Sequence, residues 1–323
     1  MKKFTFHLIL FFILFILISC AFDIFFSMNL KKSNSYADGE YSVWNDLYNG
    51  EINSDIVIYG SSNAWVEIDP GIISDRLGVS AYNLGINGHN FGLQYFRHSI
   101  LLKFNRSPKL IIHTINAATF QKAEDLYNPD QFLPYMLKNE EMKNALIRYN
   151  GYKIIDFHLP LIRYYGKKKA ILHSLYLILN PSSNVIMRLK GYQGKNKPWT
   201  DDLKKAKEEN QYLEFKLDTS LIYLFENYYN ECKKNNIRII LVTPPEFIEG
   251  QEFVRNRPEL MALNHKLSQK LDIPFFDYSN DTMSFQKKYF YNSGHLNITG
   301  AELFTNKLID DLKKYQINNG LGF

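Results

Sequence analysis

The sequence predicts an α/β protein in which a parallel sheet carries helices on both faces. Three observations carry that expectation. Short aliphatic runs of strand length recur at 56–58, 79–83, 109–115, 237–243 and 273–276. Between them lie stretches with helical spacing, such as Leu93, Phe96, Ile100 and Phe104 at steps of three, four and four. Alternation of strand and helix points to a doubly wound, three-layer parallel sheet. With 323 residues, 46% of them apolar, the chain can fill one large α/β domain with an insertion, or two domains.

The chain opens Met1-Lys2-Lys3 and then turns apolar. From Leu8 to Phe26 only Ser19 and Asp23 are clearly polar, a run of about the length that crosses a bilayer core. Residues 1–28 therefore read as an uncleaved signal anchor, a single N-terminal span in a bacterial cell membrane with the globular part outside the cytoplasm. Leu17-Ile-Ser-Cys20 also resembles a bacterial lipoprotein processing site with Cys20 as the lipidated residue. The apolar continuation Ala21-Phe-Asp-Ile-Phe-Phe26 is unlike the polar tether that follows such a site, and it favours the anchor. Asp23 would lie near the outer end of the span, where desolvation costs less than at the centre. Lys2 and Lys3 are matched by Lys31 and Lys32, so charge leaves the orientation open. Residues 29–53, polar with scattered aromatics, read as a stalk. Residues 54–323 then form the α/β domain, with an insertion at 117–215. The two cysteines, Cys20 and Cys232, predict no intramolecular disulfide.

In the α/β domain the first strand breaks at Tyr59-Gly60 into Ser61, Ser62 and Asn63. Ligands of open α/β sheets gather beyond the carboxyl ends of the strands, so a serine here sits where a nucleophile is useful. Gly-Ser-Ser is equally ordinary turn chemistry, and this stretch alone leaves both readings open. Asp69-Pro70 opens a helix that ends by Gly78. The second strand runs into the glycine-rich Leu84-Gly-Ile-Asn-Gly88, and Asn90 caps the next helix. The third strand ends just before Asn116, with His113 a strand residue facing a helix. Helices at 221–234 and 258–271 flank the fourth strand. Thr299 and Glu302 read as the capping box of the last helix.

Gly60-Ser61-Ser62, Tyr82-Asn-Leu-Gly-Ile-Asn-Gly88, Asn116 and Tyr291-Asn-Ser-Gly-His-Leu-Asn297, in this order at strand ends, together resemble the SGNH (GDSL-type) hydrolase family. The resemblance covers about residues 50–120 and 236–315 and implies a flavodoxin-like sheet. It implies Ser62 as nucleophile, with Ser61 in place of the family's aspartate, and His295 as base. It further implies an oxyanion hole made by the backbone N–H of Ser62, the backbone N–H of Gly85 and the side-chain amide of Asn116. The aspartate expected three residues before the histidine is Asn292, which can orient an imidazole but cannot offset its positive charge. Asp277 is the fallback orienter. The surroundings of Ser62 are not the G-x-S-x-G elbow of the α/β-hydrolases.

Within 117–215 no catalytic motif stands out. Between Leu161 and Thr200 there are eight lysines or arginines and no acid, which reads either as a solvated face beside a membrane or as a cap drawing an anionic glycan or lipid headgroups. A net charge of +5 does not point to nucleic acid, and neither zinc-type Cys/His spacing nor a phosphate-cradling glycine loop is present, so no cofactor or metal is expected. The expectation is a membrane-anchored serine esterase or O-acyltransferase acting on acyl, above all acetyl, esters of envelope polysaccharide. The alternatives are a catalytically weak scaffold that binds glycan, or a partner of membrane acyl-transfer machinery. Membrane lipid is the expected partner of the N-terminal helix.

Overall fold

Strands of Ile, Val and Leu with no polar face must be covered on both sides, and the chain meets that need with helices. The computed structural model describes residues 1–319. Helix α1 spans Lys2–Lys31 and α2 Glu40–Asn49. Then come β1 (Ile56–Tyr59), α3 (Ser62–Glu67), α4 (Pro70–Leu77), β2 (Ala81–Asn83), α5 (Phe91–Phe104) and β3 (Leu110–Thr114). The middle of the chain holds 3-10 turns with α6 (Glu140–Leu146), α7 (Lys168–Leu179) and α8 (Asp202–Glu208). Regular alternation resumes with α9 (Thr219–Lys234), β4 (Arg238–Thr243), α10 (Ile248–Glu252), α11 (Arg257–Leu271) and β5 (Phe275–Asp277). A hairpin of β6 (Phe290–Asn292) and β7 (His295–Leu296) precedes α12 (Ile298–Asn319).

Five strands form one parallel sheet in the order β2-β1-β3-β4-β5, the flavodoxin-type order whose ligand crevice lies outside the strand ends between β1 and β3. One face buries Ile56, Ile58, Ile112 and Val242 against Ile68 and Ile73 near α3 and α4, and against Phe304 and Leu308 of α12. The other face is aromatic: Tyr59 and His113 pack with His98 of α5 and with Phe225 and Tyr228 of α9. His113 is fully buried, its two ring nitrogens 2.9 Å from Gln94 Oε1 and 3.2 Å from Tyr228 Oη. It is a core histidine, and burial pushes its pKa down to about 3.

The predicted caps hold at two helices. Asp69 accepts from the Gly71 N–H and Asn90 from the Gly92 N–H. At α12 the cap is Asn297, whose Oδ1 accepts from the Gly300 N–H at 3.0 Å, and not Thr299, which lies inside the helix. Asparagine outcompetes the threonine because it stands two residues earlier, just before the helix begins, where the first free N–H groups point.

The chain divides into two compact units. One comprises Met1–Asn45 with Glu124–Arg188 and the other Asp46–Ala123 with Leu189–Phe323. The sheet lies wholly in the second. In the first, the stretch read as a stalk folds instead: Tyr41, Val43 and Trp44 are fully buried. Tyr41 donates to the Asp130 carbonyl and Trp44 Nε1 to Gln131 Oε1. The aromatics that looked scattered in sequence fall on one side of α2 and bury there. The basic run is also changed by folding. Arg163 pairs with Asp23 at 2.6 Å, Lys167 with Asp130 at 2.8 Å and Arg188 with Glu40 at 2.6 Å. All three acids come from outside the acid-free stretch.

Candidate active site

β1 delivers the serines. Gly60 has φ of +143°, and a Cβ there would stand 1.9 Å from Thr114 Oγ1, so only glycine lets β1 turn this tightly beside β3. Ser61 precedes α3, and Ser62 is the first residue of that helix, half-buried, with its side chain in a cleft beyond the strand ends. The cleft has a volume of about 300 Å³ and is lined by Ser62, Gly88, Asn116, Arg257 and His295 among others.

His295 reaches it from the hairpin. β6 and β7 pair with Asn292 opposite His295, so a spacing of three becomes a direct cross-strand neighbour. Asn292 Oδ1 accepts from the Gly294 N–H at 3.1 Å in an Asx turn and lies 2.9 Å from His295 Nδ1. Because the backbone N–H fixes which amide atom faces the ring, His295 Nδ1 carries the proton and Nε2 is the acceptor. Nε2 lies 2.7 Å from Ser62 Oγ. Ser62, His295 and Asn292 thus form one continuous chain, and Ser61 has no part in it. Asp277 does not reach the histidine, being held by His265 at 2.9 Å and by the Ser279 hydroxyl.

The imidazole is held neutral. Its edge opens to the cleft, but the protein around it strips water away. This burial first, and the positive charge of Lys195 second, bring its pKa down to about 4. As pH falls through that value the ring gains a proton and Ser62 loses its acceptor. For any reaction in which His295 acts as base, the acid limb of kcat/KM is therefore expected near pH 4 rather than near 6.5. Lys195→Met should move it upward by removing the like charge; an unmoved limb, or one near 6.5 in the parent, would contradict this account of the ring.

The expected oxyanion donors fare differently. Asn116 Oδ1 accepts from the Ala118 N–H at 3.0 Å, and one Nδ2 hydrogen goes to Asn63 Oδ1 at 3.0 Å. The amide is locked in orientation, and its second Nδ2 hydrogen is available for an anion. Gly85 is a correction: its N–H is donated to Asn83 Oδ1 at 2.9 Å, and Gly85 is not among the residues lining the cleft. A glycine is needed there for a different reason, since a Cβ would lie 2.4 Å from the Trp65 backbone nitrogen. Gly88, three residues on with φ of +71°, is the glycine that borders the cleft beside Ser62 and Asn116.

Two residues of the site carry no motif in the sequence. Asn63 donates to Gly294 O at 2.9 Å and to Glu67 Oε1 at 3.0 Å while accepting from Asn116. It ties the serine helix, the Asn116 amide and the histidine turn into one node. Glu67 lies beneath it, fully buried, and burial holds its carboxyl well above the usual carboxylate range. The only signal was the i, i+4 spacing of Asn63 and Glu67 on one helix face.

Fold and site together define an α/β protein with a Ser–His–Asn constellation at the carboxyl ends of a parallel sheet. No family model and no curated protein matches the chain. Among solved structures, it is similar to a proposed acylhydrolase of Bacteroides fragilis at 15% identity, over 80% of this chain and 86% of that one, with a TM-score of 0.34. It is also similar to a proposed platelet activating factor of Streptococcus pneumonia at 14% identity, over 88% and 94%, with a TM-score of 0.40. Likeness this slight decides nothing about activity.

Proposed function

We propose that the protein is a serine-dependent acyl esterase or O-acyltransferase of the SGNH type. The observation that carries this reading is the hydrogen-bonded chain from Ser62 Oγ through His295 to Asn292. In the proposed reaction His295 Nε2 takes the Ser62 proton as Oγ attacks the ester carbonyl. Charge on the carbonyl oxygen is met by the N–H groups of Ser62 and Gly88 and by Asn116 Nδ2. Imidazolium then returns the proton to the leaving alcohol, and the acyl-serine passes its acyl group to water or to an acceptor hydroxyl. Asn292 keeps the ring oriented but supplies no charge, which favours a slow enzyme and leaves a glycan-binding scaffold as the second reading.

The cleft has a volume of only about 300 Å³, so a short acyl group such as acetyl fits it better than a long chain. With α1 as membrane anchor and the sheet unit outside the cytoplasm, the natural substrate class is an acylated envelope polysaccharide; a membrane acyl-transfer protein is the alternative partner. Since Arg163, Lys167 and Arg188 are neutralised by acids, lysines remain to attract a polyanion. Acetate release from acetylated glycan should exceed cleavage of long-chain nitrophenyl esters and should weaken with salt. Preference for long chains with no salt effect would sink the polysaccharide reading.

A further inference from the structure

The unit built from Met1–Asn45 and Glu124–Arg188 is inside-out along α1. Residues 1–18 are exposed all round the helix, and burial begins at Ser19. The side chains that α1 buries are Ser19, Asp23, Ser27, Asn29 and Leu30, whereas Phe22, Ile24 and Met28 are more than half exposed. The polar side is sealed by the segment around Leu161. Arg163 makes a two-pronged contact with Asp23 at 2.6 and 2.7 Å, the Leu161 N–H donates to Asp23 Oδ2, and Tyr164 Oη meets Ser27 Oγ at 2.8 Å. A soluble protein buries its apolar side chains and shows polar ones. Here that arrangement is reversed.

The exposed apolar surface continues beyond α1 within the same unit. Ile155, Leu159, Ile162 and Tyr165 are exposed, Tyr165 to 91%. On α7, Leu172, Leu175 and Leu179 form an outward stripe at steps of three and four, opposite the buried Ala170, Ser174 and Leu177. A groove of about 700 Å³ between α1 and this segment is lined by Phe15 and Ser19 on one side and Ile155, Ile162 and Tyr165 on the other. Lysines 167, 168 and 169 adjoin it in sequence.

Length decides what covers this surface. α1 is the one helix among the described residues that is long and apolar enough to span a membrane. Its part free of the folded unit, from Phe4 to Ile18, measures about 22 Å at 1.5 Å per residue. The hydrocarbon core is about 30 Å thick. If α1 spans, the missing ~8 Å, a turn and a half of helix, must come from the stretch that begins at Ser19. That stretch is the one packed against residues 161–165.

We propose that residues 154–179 form a collar against the polar side of α1 that sinks into the near leaflet of a lipid bilayer, with acyl chains against the groove and Tyr165 and the lysines at the headgroup level. The protein is then seated in the membrane surface as well as threaded through it. This rests on the reading of α1 as an uncleaved span, and the test separates the two. The full chain, in a Cys20→Ser, Cys232→Ala background, carries a single environment-sensitive fluorophore at Phe11→Cys, Ile162→Cys, Tyr165→Cys or Tyr223→Cys. It is reconstituted in phosphatidylcholine vesicles whose lipids bear nitroxides at defined depths. Label at Phe11 should be quenched most by nitroxides deep in the chains, labels at Ile162 and Tyr165 most by shallow ones, and label at Tyr223 of α9 by neither. Quenching at Phe11 with none at Ile162 and Tyr165 overturns the collar and leaves the anchor standing. No quenching at Phe11 overturns both. Blue-shifted collar labels that lipid nitroxides do not reach, and that lose the shift at one chain per vesicle, would mean that a second copy covers the surface, which also overturns the proposal.

Discussion

Ser62→Ala should abolish turnover of a short-chain nitrophenyl ester, lowering kcat by at least about a thousandfold, because the remaining donors stabilise charge without supplying a nucleophile. Labelling by a fluorophosphonate probe should disappear with it. Ser61→Ala should stay within about tenfold of the parent, since it is Ser62 whose Oγ lies 2.7 Å from the imidazole Nε2. The two serines are adjacent and chemically identical, so the comparison isolates geometry from residue type. Turnover retained by Ser62→Ala and lost in Ser61→Ala would refute the assignment of the nucleophile. Folding is checked in parallel by circular dichroism, as neither hydroxyl is part of the core.

The parts of this arrangement that were legible in the sequence are those set by local rules. β-branched runs marked the strands, Asp69 and Asn90 marked helix starts, and the three-residue spacing of Asn292 and His295 became a hairpin contact. What was not legible depends on where a backbone or a distant side chain points. Gly85 and Gly88 are equivalent as letters; the Asn83 side chain captures the N–H of one and leaves the other bordering the cleft. The acid-free basic run lost three charges to Asp23, Asp130 and Glu40, two of them more than 100 residues away in sequence. No composition window could show that, nor that α1 turns its polar side inward. The polar stretch 29–53 misled for the opposite reason: its aromatics are few, but α2 gathers them on one side.

Asn292→Asp should raise kcat/KM by about ten- to a hundredfold, and the size follows from what the amide already does. In a serine protease the opposite change costs about four orders of magnitude, largely because the amide selects the wrong imidazole tautomer. Here the Gly294 N–H holds Asn292 Oδ1 toward Nδ1, so the tautomer is already right and only the missing charge remains to be supplied. A carboxylate of the same shape can accept both hydrogen bonds and stabilise the imidazolium of the transition state. The same charge should raise the pKa of His295 from about 4, moving the acid limb of the rate to higher pH. Rate and limb must therefore move together. Steady-state kinetics across pH on the parent and Asn292→Asp, with fluorophosphonate labelling rates as a substrate-independent readout, measures both. A large loss of rate in a variant that still folds would show that the amide nitrogen has a role of its own, and the account of Asn292 as an uncharged orienter would fail.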